Sequence, residues 1–186
     1  MSNICDNCER PFESWTASIG HPYRYTESGL DDIWLEGVTV YSCPNCEVDS
    51  ADIPDLEGLH KLIAKDIILT PLPMSGAELR FLRKETKLRL KDFAERLAVD
   101  PKTISNWETS DHLSKQTDVT IRVLVIAALW AGDELFKTLV EFAEIAKYSW
   151  EGLQSEAEES DKEIEQLAEE NTILGLNEAH EWGMAA

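Results

Sequence analysis

At 186 residues the chain is long enough for one or two domains with a buried core, and its 17 Lys and Arg against 36 Asp and Glu give a net charge of −19. That balance excludes a uniformly basic protein that coats nucleic acid, and it leaves nucleic-acid binding open only where cations are segregated from acids. The opening residues carry no basic region followed by an apolar run, and the longest apolar run, 123–131, is too short for a bilayer and follows Arg122, so a soluble cytoplasmic protein with no membrane partner is expected.

The four cysteines form two Cys-x-x-Cys pairs, Cys5/Cys8 and Cys43/Cys46. Each pair makes a knuckle that offers two thiolates to one metal, and two knuckles complete a tetrahedral sulfur site suited to Zn²⁺, with iron as the less favoured ion. No cysteine is left over for an open catalytic position, so one structural zinc is expected to contribute folding energy to a small polar segment. Two disulfides or a redox dithiol are the alternatives; a reducing cytoplasm disfavours the first, and the second needs only one pair. Between the knuckles, 12–19 and 34–41 read as strands, the latter running into the second knuckle. His21 falls in a turn after Gly20, where exposure is expected rather than ligation. Residues 55–69 read as a helix with Leu56, Leu59, Leu62 and Ile63 on one face, and Pro71 and Pro73 then mark a domain boundary and hinge at 70–74.

Three short amphipathic segments follow. Ser75 and Glu78 have the spacing of a capping box, with Leu79 and Leu82 behind them on one face. Phe93, Ala94 and Leu97 share a face of the second segment, and the small Ala94 suits a close helix–helix approach at a sharp turn. The third opens with Asp100 as N-cap and Pro101 at the first helical position, and Ile104 and Trp107 should face inward. This is the pattern of a helix-turn-helix domain. At about 100° per residue, Lys102, Ser105, Asn106 and Thr109 point the other way, with Thr103 at the margin. In a major groove, Asn can pair with adenine, Lys can donate to guanine, and Ser or Thr can do either. A merely solvated polar face is the bland alternative.

Thr117 and Asp118 look like the start of a fourth helix, 119–130, apolar almost all round and hence buried on more than one side, in the domain or in a dimer. From Asp133 a fifth helix aligns Leu135, Leu139, Phe142, Ala143, Ala146 and Trp150. Residues 154–171 are Glu-rich, a solvated helix or a disordered tail, and Ile173, Leu174 and Trp182 suggest only docking. The charge is segregated: residues 75–126 carry ten Lys or Arg and eight Asp or Glu, a net +2, so the remaining −21 lies outside. No catalytic residues are expected: His21, His60, His112 and His180 are scattered, no Gly-rich phosphate loop occurs, and carboxylates are too frequent for any pair to inform.

Segments two and three, with Ala94 ten residues before Ile104 and Trp107-Glu108 closing the third, resemble the Cro/repressor helix-turn-helix. In that family the recognition helix contacts bases from positions that map onto Lys102 and Asn106. A Gln that anchors phosphate in the family is Leu90 here, so its flanking Arg89 and Lys91 would substitute. The zinc knuckles, short helix, Pro-containing linker and Cro-like domain, over roughly 1–130, together resemble the MqsA antitoxin family, or YgiT-type zinc finger/helix-turn-helix proteins. The resemblance implies a zinc domain that binds a ribonuclease toxin and a helical domain that dimerises on an operator palindrome. The chain extends about 50 residues further than the family pattern.

The expected fold is therefore α+β: a zinc-bound β-rich domain at 1–69, a hinge at 70–74, a helix-turn-helix domain at 75–130, a helical extension at 131–153 and an acidic tail at 154–186. The expected function is a homodimeric, autoregulatory repressor binding double-stranded DNA, with Lys102 and Asn106 on bases, Thr103 and Ser105 assisting, and Arg89, Lys91 and Lys115 on phosphates. The alternative is an antitoxin that sequesters a basic ribonuclease toxin through its zinc domain; an adaptor that has lost DNA binding is a third reading.

Overall fold

A computed structural model describes residues 4–130, 135, 137–139, 141–143, 172–176 and 182–184. The order is β1 (Glu13–Thr16), β2 (Tyr23–Arg24), a 3-10 turn at Thr26–Ser28, β3 (Ile33–Glu36), β4 (Thr39–Ser42), β5 (Asp49–Asp52), then α1 (Leu56–Leu69), α2 (Gly76–Glu85), α3 (Leu90–Arg96), α4 (Pro101–Trp107), α5 (Lys115–Leu129), and finally β6 (Thr172–Leu176) and β7 (Trp182–Met184). The architecture is α+β. The chain divides into two units, Met1–Leu59 with Asn171–Ala186, and His60–Glu170. Among the described residues no helix is long and apolar enough to cross a membrane.

The first unit holds an antiparallel sheet in the order β1-β4-β5 and a mixed sheet in the order β2-β3-β6-β7. The single strand expected at 34–41 is two strands in two sheets. Gly37 breaks it: its φ of +78° is reached without the Cβ clash other residues meet, and its N–H donates to the Ala17 carbonyl at 2.9 Å. The apolar alternation survives the break, with Ile33 and Leu35 buried before it and Val38 and Val40 after it. The strand expected at 12–19 is confined to Glu13–Thr16, paired with β4 from Glu13↔Ser42 to Thr16↔Thr39.

The reading of 154–186 as an acidic tail, helical or disordered, does not hold at its end. β6 runs parallel to β3, with Ile33 opposite Thr172 and Leu35 opposite Leu174, and β7 returns antiparallel. Leu174 is fully buried, and the Trp182 Nε1–H donates to the Asp55 carbonyl at 3.0 Å. Apolar residues too few for an autonomous fold are enough to add strands to an existing sheet. Residues 154–171 lie outside the described residues.

In the second unit the boundary expected at 70–74 is displaced into α1, between Leu59 and His60. Ile63, Ala64, Ile67 and Ile68 of α1 are buried, whereas Leu56, expected on that face, is 46% exposed in the first turn. Residues 70–74 are fastened rather than hinged. Pro71 has no N–H to give the Ile67 carbonyl, so the end of α1 needs another donor. Arg122 supplies it: its Nη1 donates to the carbonyls of Ile67 (2.6 Å), Ile68 (2.7 Å) and Thr70 (2.9 Å), and its Nη2 to Leu72 (2.8 Å). Asp118, one turn earlier on α5, balances the charge and accepts from the Met74 N–H at 3.2 Å. Both side chains are buried.

The capping box at Ser75 forms as expected: the Glu78 N–H donates to Ser75 Oγ, and the Ser75 N–H to Glu78 Oε2 at 2.6 Å. Gly76 lies against the end of α4, its N–H donating to the Ser110 carbonyl at 3.0 Å. A Cβ there would stand 2.5 Å from the Trp107 carbonyl oxygen and 2.8 Å from that of Ser110, both backbone atoms. Gly76→Ala should therefore destabilise the helical unit by ~1–3 kcal/mol. Urea titration followed by helical circular dichroism measures this, and an unchanged midpoint would show that α2 can back away at no cost.

α5 begins at Lys115 under a Ser114 cap, not at Thr117, and its burial is one-sided. Ile121, Val125 and Ile126 are buried, while Val123 is 43% exposed and Gln116, Thr120, Ala127 and Ala128 are exposed with it. Residues 135, 137–139 and 141–143 are helical, with Phe142 buried. Ala146 and Trp150 lie outside the described residues.

Candidate metal centre and nucleic-acid face

The two knuckles are built alike. The Cys5 N–H donates to the Arg10 carbonyl and the Glu9 N–H returns to Cys5, both at 2.8 Å; the Cys43 N–H donates to Val48 and the Glu47 N–H to Cys43, both at 3.0 Å. Each loop closes through a left-handed residue just after its second cysteine, Glu9 at φ 58° and Glu47 at φ 55°. Sequence reasoning passed over both, because glycine is the usual signal for that conformation. The Trp15 Nε1–H bonds Ser42 Oγ at 3.0 Å, tying β1 to the residue before the second knuckle.

The four Sγ atoms lie within 4.8 Å of one another, and Cys8 Sγ is 3.5 Å from Cys43 Sγ. Sulfurs at about 2.3 Å from a common tetrahedral zinc stand about 3.8 Å apart, so shifts of up to about 1 Å would bring the donor set to a closed four-thiolate site. None of the four is in a disulfide. Backbone N–H groups, Asn45 foremost, lower Cys43 to about 7 against the opposing effect of burial, whereas Cys46 is pushed up to about 12 by its hydrogen bond to Cys8 and by burial. His21 is exposed and stacks on Trp15 at 4.2 Å; the metal-competent group among the described residues consists of the four cysteines.

In the helical unit α3 packs on α4 across residues 97–100, with Ala98 at φ 54°. The Asp100 side chain accepts from the Lys102 N–H at 2.7 Å, and Pro101 occupies the first helical position, as the sequence implies. Ile104 is fully buried and Trp107 half-buried. From behind, Arg83 of α2 holds Glu108 in a nearly buried two-point ion pair at the end of α4. Lys102, Ser105 and Asn106 are exposed together on the opposite face and Thr103 is half-buried. Thr109 is exposed too, but its hydroxyl donates to the Asn106 carbonyl at 3.0 Å.

The cations are placed unequally. Lys91 and Lys115 are exposed, and Lys115 is not without a partner. Arg89 is exposed as well but already engaged: from the N-cap position of α3, where its side chain makes no capping hydrogen bond, it holds Asp92 at 2.8 Å, and that hydrogen bond keeps the Asp92 carboxyl below its usual range. Arg122, counted among the basic residues of this domain, is buried and cannot face a ligand. The i,i+4 spacing of Asp118 and Arg122 within an apolar helix was the signal for that pairing.

No protein-family model matches this chain, and neither a curated protein nor a solved structure matches it.

Proposed function

We propose that the chain is a sequence-specific DNA-binding regulator, a homodimeric repressor of its own operon, stabilised by one structural Zn²⁺ on Cys5, Cys8, Cys43 and Cys46. In this reading α3 and α4 are a Cro-type helix-turn-helix, and the chain is a relative of the MqsA antitoxin family. The observation that carries it is α4: a capped helix, buttressed by Ile104 and by the Arg83–Glu108 pair, that presents Lys102, Ser105 and Asn106 to solvent. Rigid support behind a short row of base-competent side chains is what direct readout requires. Thr103 would assist at the margin, and Lys91 and Lys115 would hold phosphates. Arg89 would do so only by exchanging Asp92 for phosphate.

Fluorescence anisotropy of the zinc-loaded protein on the duplex upstream of its own gene, beside a scrambled duplex, tests the reading. Asn106→Ala should remove about 1–3 kcal/mol of the preference while leaving binding to the scrambled duplex unchanged. Equal binding of the wild type to both duplexes would sink it.

A second reading, an antitoxin that holds a basic ribonuclease, draws support from the knuckles. Glu9 and Glu47 are exposed beside the metal ligands, and Asp6, Asp49 and Asp52 are exposed near them in sequence. Such a surface complements a cationic partner. Salt-sensitive binding of a basic protein encoded next to the gene would favour it.

A further inference from the structure

Between Arg80 and Arg96 the chain carries seven Lys or Arg against three acids, Glu85, Asp92 and Glu95, a local net charge of +4 in a chain of −19. Two of the acids have partners in the structure, and one of those partners, Arg89, is a fixed cation. Glu85 holds His60 at 2.9 Å and Asp92 holds Arg89 at 2.8 Å, while Arg83 is itself committed to Glu108. Arg80, Lys84, Lys87 and Lys91 are all exposed, and none has an ion-pair partner among the described residues. Arg80 and Lys84 are one helical turn apart on the same face of α2, where like charges repel and weaken the helix. Lys87 follows in the turn, and Lys91 lies in the first turn of α3. The backbone at Lys87 is itself informative: φ is 57°, a left-handed conformation that glycine adopts freely and lysine does not. A charged residue kept where glycine would relieve strain points to a use for the charge.

We propose that Arg80, Lys84, Lys87 and Lys91 form a phosphate-binding track for the backbone of duplex nucleic acid, distinct from the residues of α4 that read bases. The track rests on the DNA-binding reading above and extends it. Four exposed cations spread over two helices and the turn between them offer a polyanion several separate local contacts. They also explain how a chain of −19 can approach DNA at all, because phosphate contacts are local and each releases condensed counterions.

The test uses the full zinc-loaded chain, the same two duplexes and a salt series, with Lys87→Gly, Arg80→Gln/Lys84→Gln, Asn106→Ala and Arg96→Gln as variants. Lys87→Gly removes charge while relieving the backbone, so loss of fold does not mask its effect. Each track charge removed should lower the slope of log K against log salt by about 0.9, equally on both duplexes, with the preference ratio intact. Asn106→Ala should do the reverse, lowering the ratio and keeping the slope. Unchanged slopes in both track variants, with wild-type preference present, overturn the track and leave the regulator standing. An equal fall in Arg96→Gln also overturns it, since the effect would then be one of net charge. Binding without preference, with slopes that fall in the track variants, keeps the track and removes the specific regulator. No binding to either duplex at low salt removes both.

Discussion

Stripping the metal from the zinc-loaded protein with a strong chelator should unfold the β-rich unit and leave the helical unit standing. The strands of the first unit are two to five residues long, and the two knuckles are turns with one left-handed glutamate each. Isolated strands of this length are marginal in water. A structural four-thiolate zinc contributes about 10–16 kcal/mol, comparable to or larger than the whole stability of an ordinary domain. Hydrogen exchange gives the local readout. The amides of Cys5, Glu9, Cys43 and Glu47 are bonded only within their knuckles and should lose protection together. Those of Leu79 and Phe93, inside the helical unit, should keep theirs. Cys43→Ser should reproduce the pattern without chelator. Retained protection at Cys5 and Cys43 after complete zinc removal would show that the sheets stand without the ion.

Arg122→Ala should cost the helical unit about 3–5 kcal/mol, the usual loss when one member of a buried ion pair is deleted. Three consequences coincide. Asp118 is left charged and buried, the carbonyl of Ile67 faces Pro71 with no donor, and the carbonyls of Thr70 and Leu72 lose theirs. Asp118→Asn should cost less, because an amide oxygen still accepts from Met74 N–H. The double variant should be less harmful than the sum of the two, since the pair acts as a unit. Denaturant midpoints of the three proteins, followed at a helical wavelength, decide this. Strict additivity would mean that Arg122 acts through the carbonyls alone.

How far the chain could be read in advance follows from whether a signal is local. Ser75 with Glu78, Asp100 with Pro101 and the two cysteine pairs are fixed by a handful of neighbouring residues, and the structure carries each as expected. Burial on α3 and α4 followed the same way from Phe93, Ala94 and Ile104. Partners distant in sequence were not legible. Nothing near Ile33 announces Thr172, and nothing near Pro71 announces Arg122. The prolines at 71 and 73 do mark the end of α1, but the missing amide recruits a distant guanidinium rather than freeing a hinge. Gly37 reads as part of one continuous strand at 34–41; that it breaks the strand, and that its two flanks join different sheets, was not legible. Positive φ at Glu9, Glu47 and Lys87 left no trace in residue type.

The pairing of β3 with β6 bears on the order in which the protein can be made. Both cysteine knuckles and β1 to β5 leave the ribosome early, yet the edge of β3 has no parallel neighbour until Thr172–Leu176 has been synthesised. The whole helical unit emerges in the interval and can fold on its local contacts. Throughout that wait the nascent β-rich unit carries an open strand edge, a hazard for mispairing with other chains. An ion captured by Cys5, Cys8, Cys43 and Cys46 needs nothing beyond Val48 to close the knuckles, so it can hold the half-built unit in register until its last strands arrive.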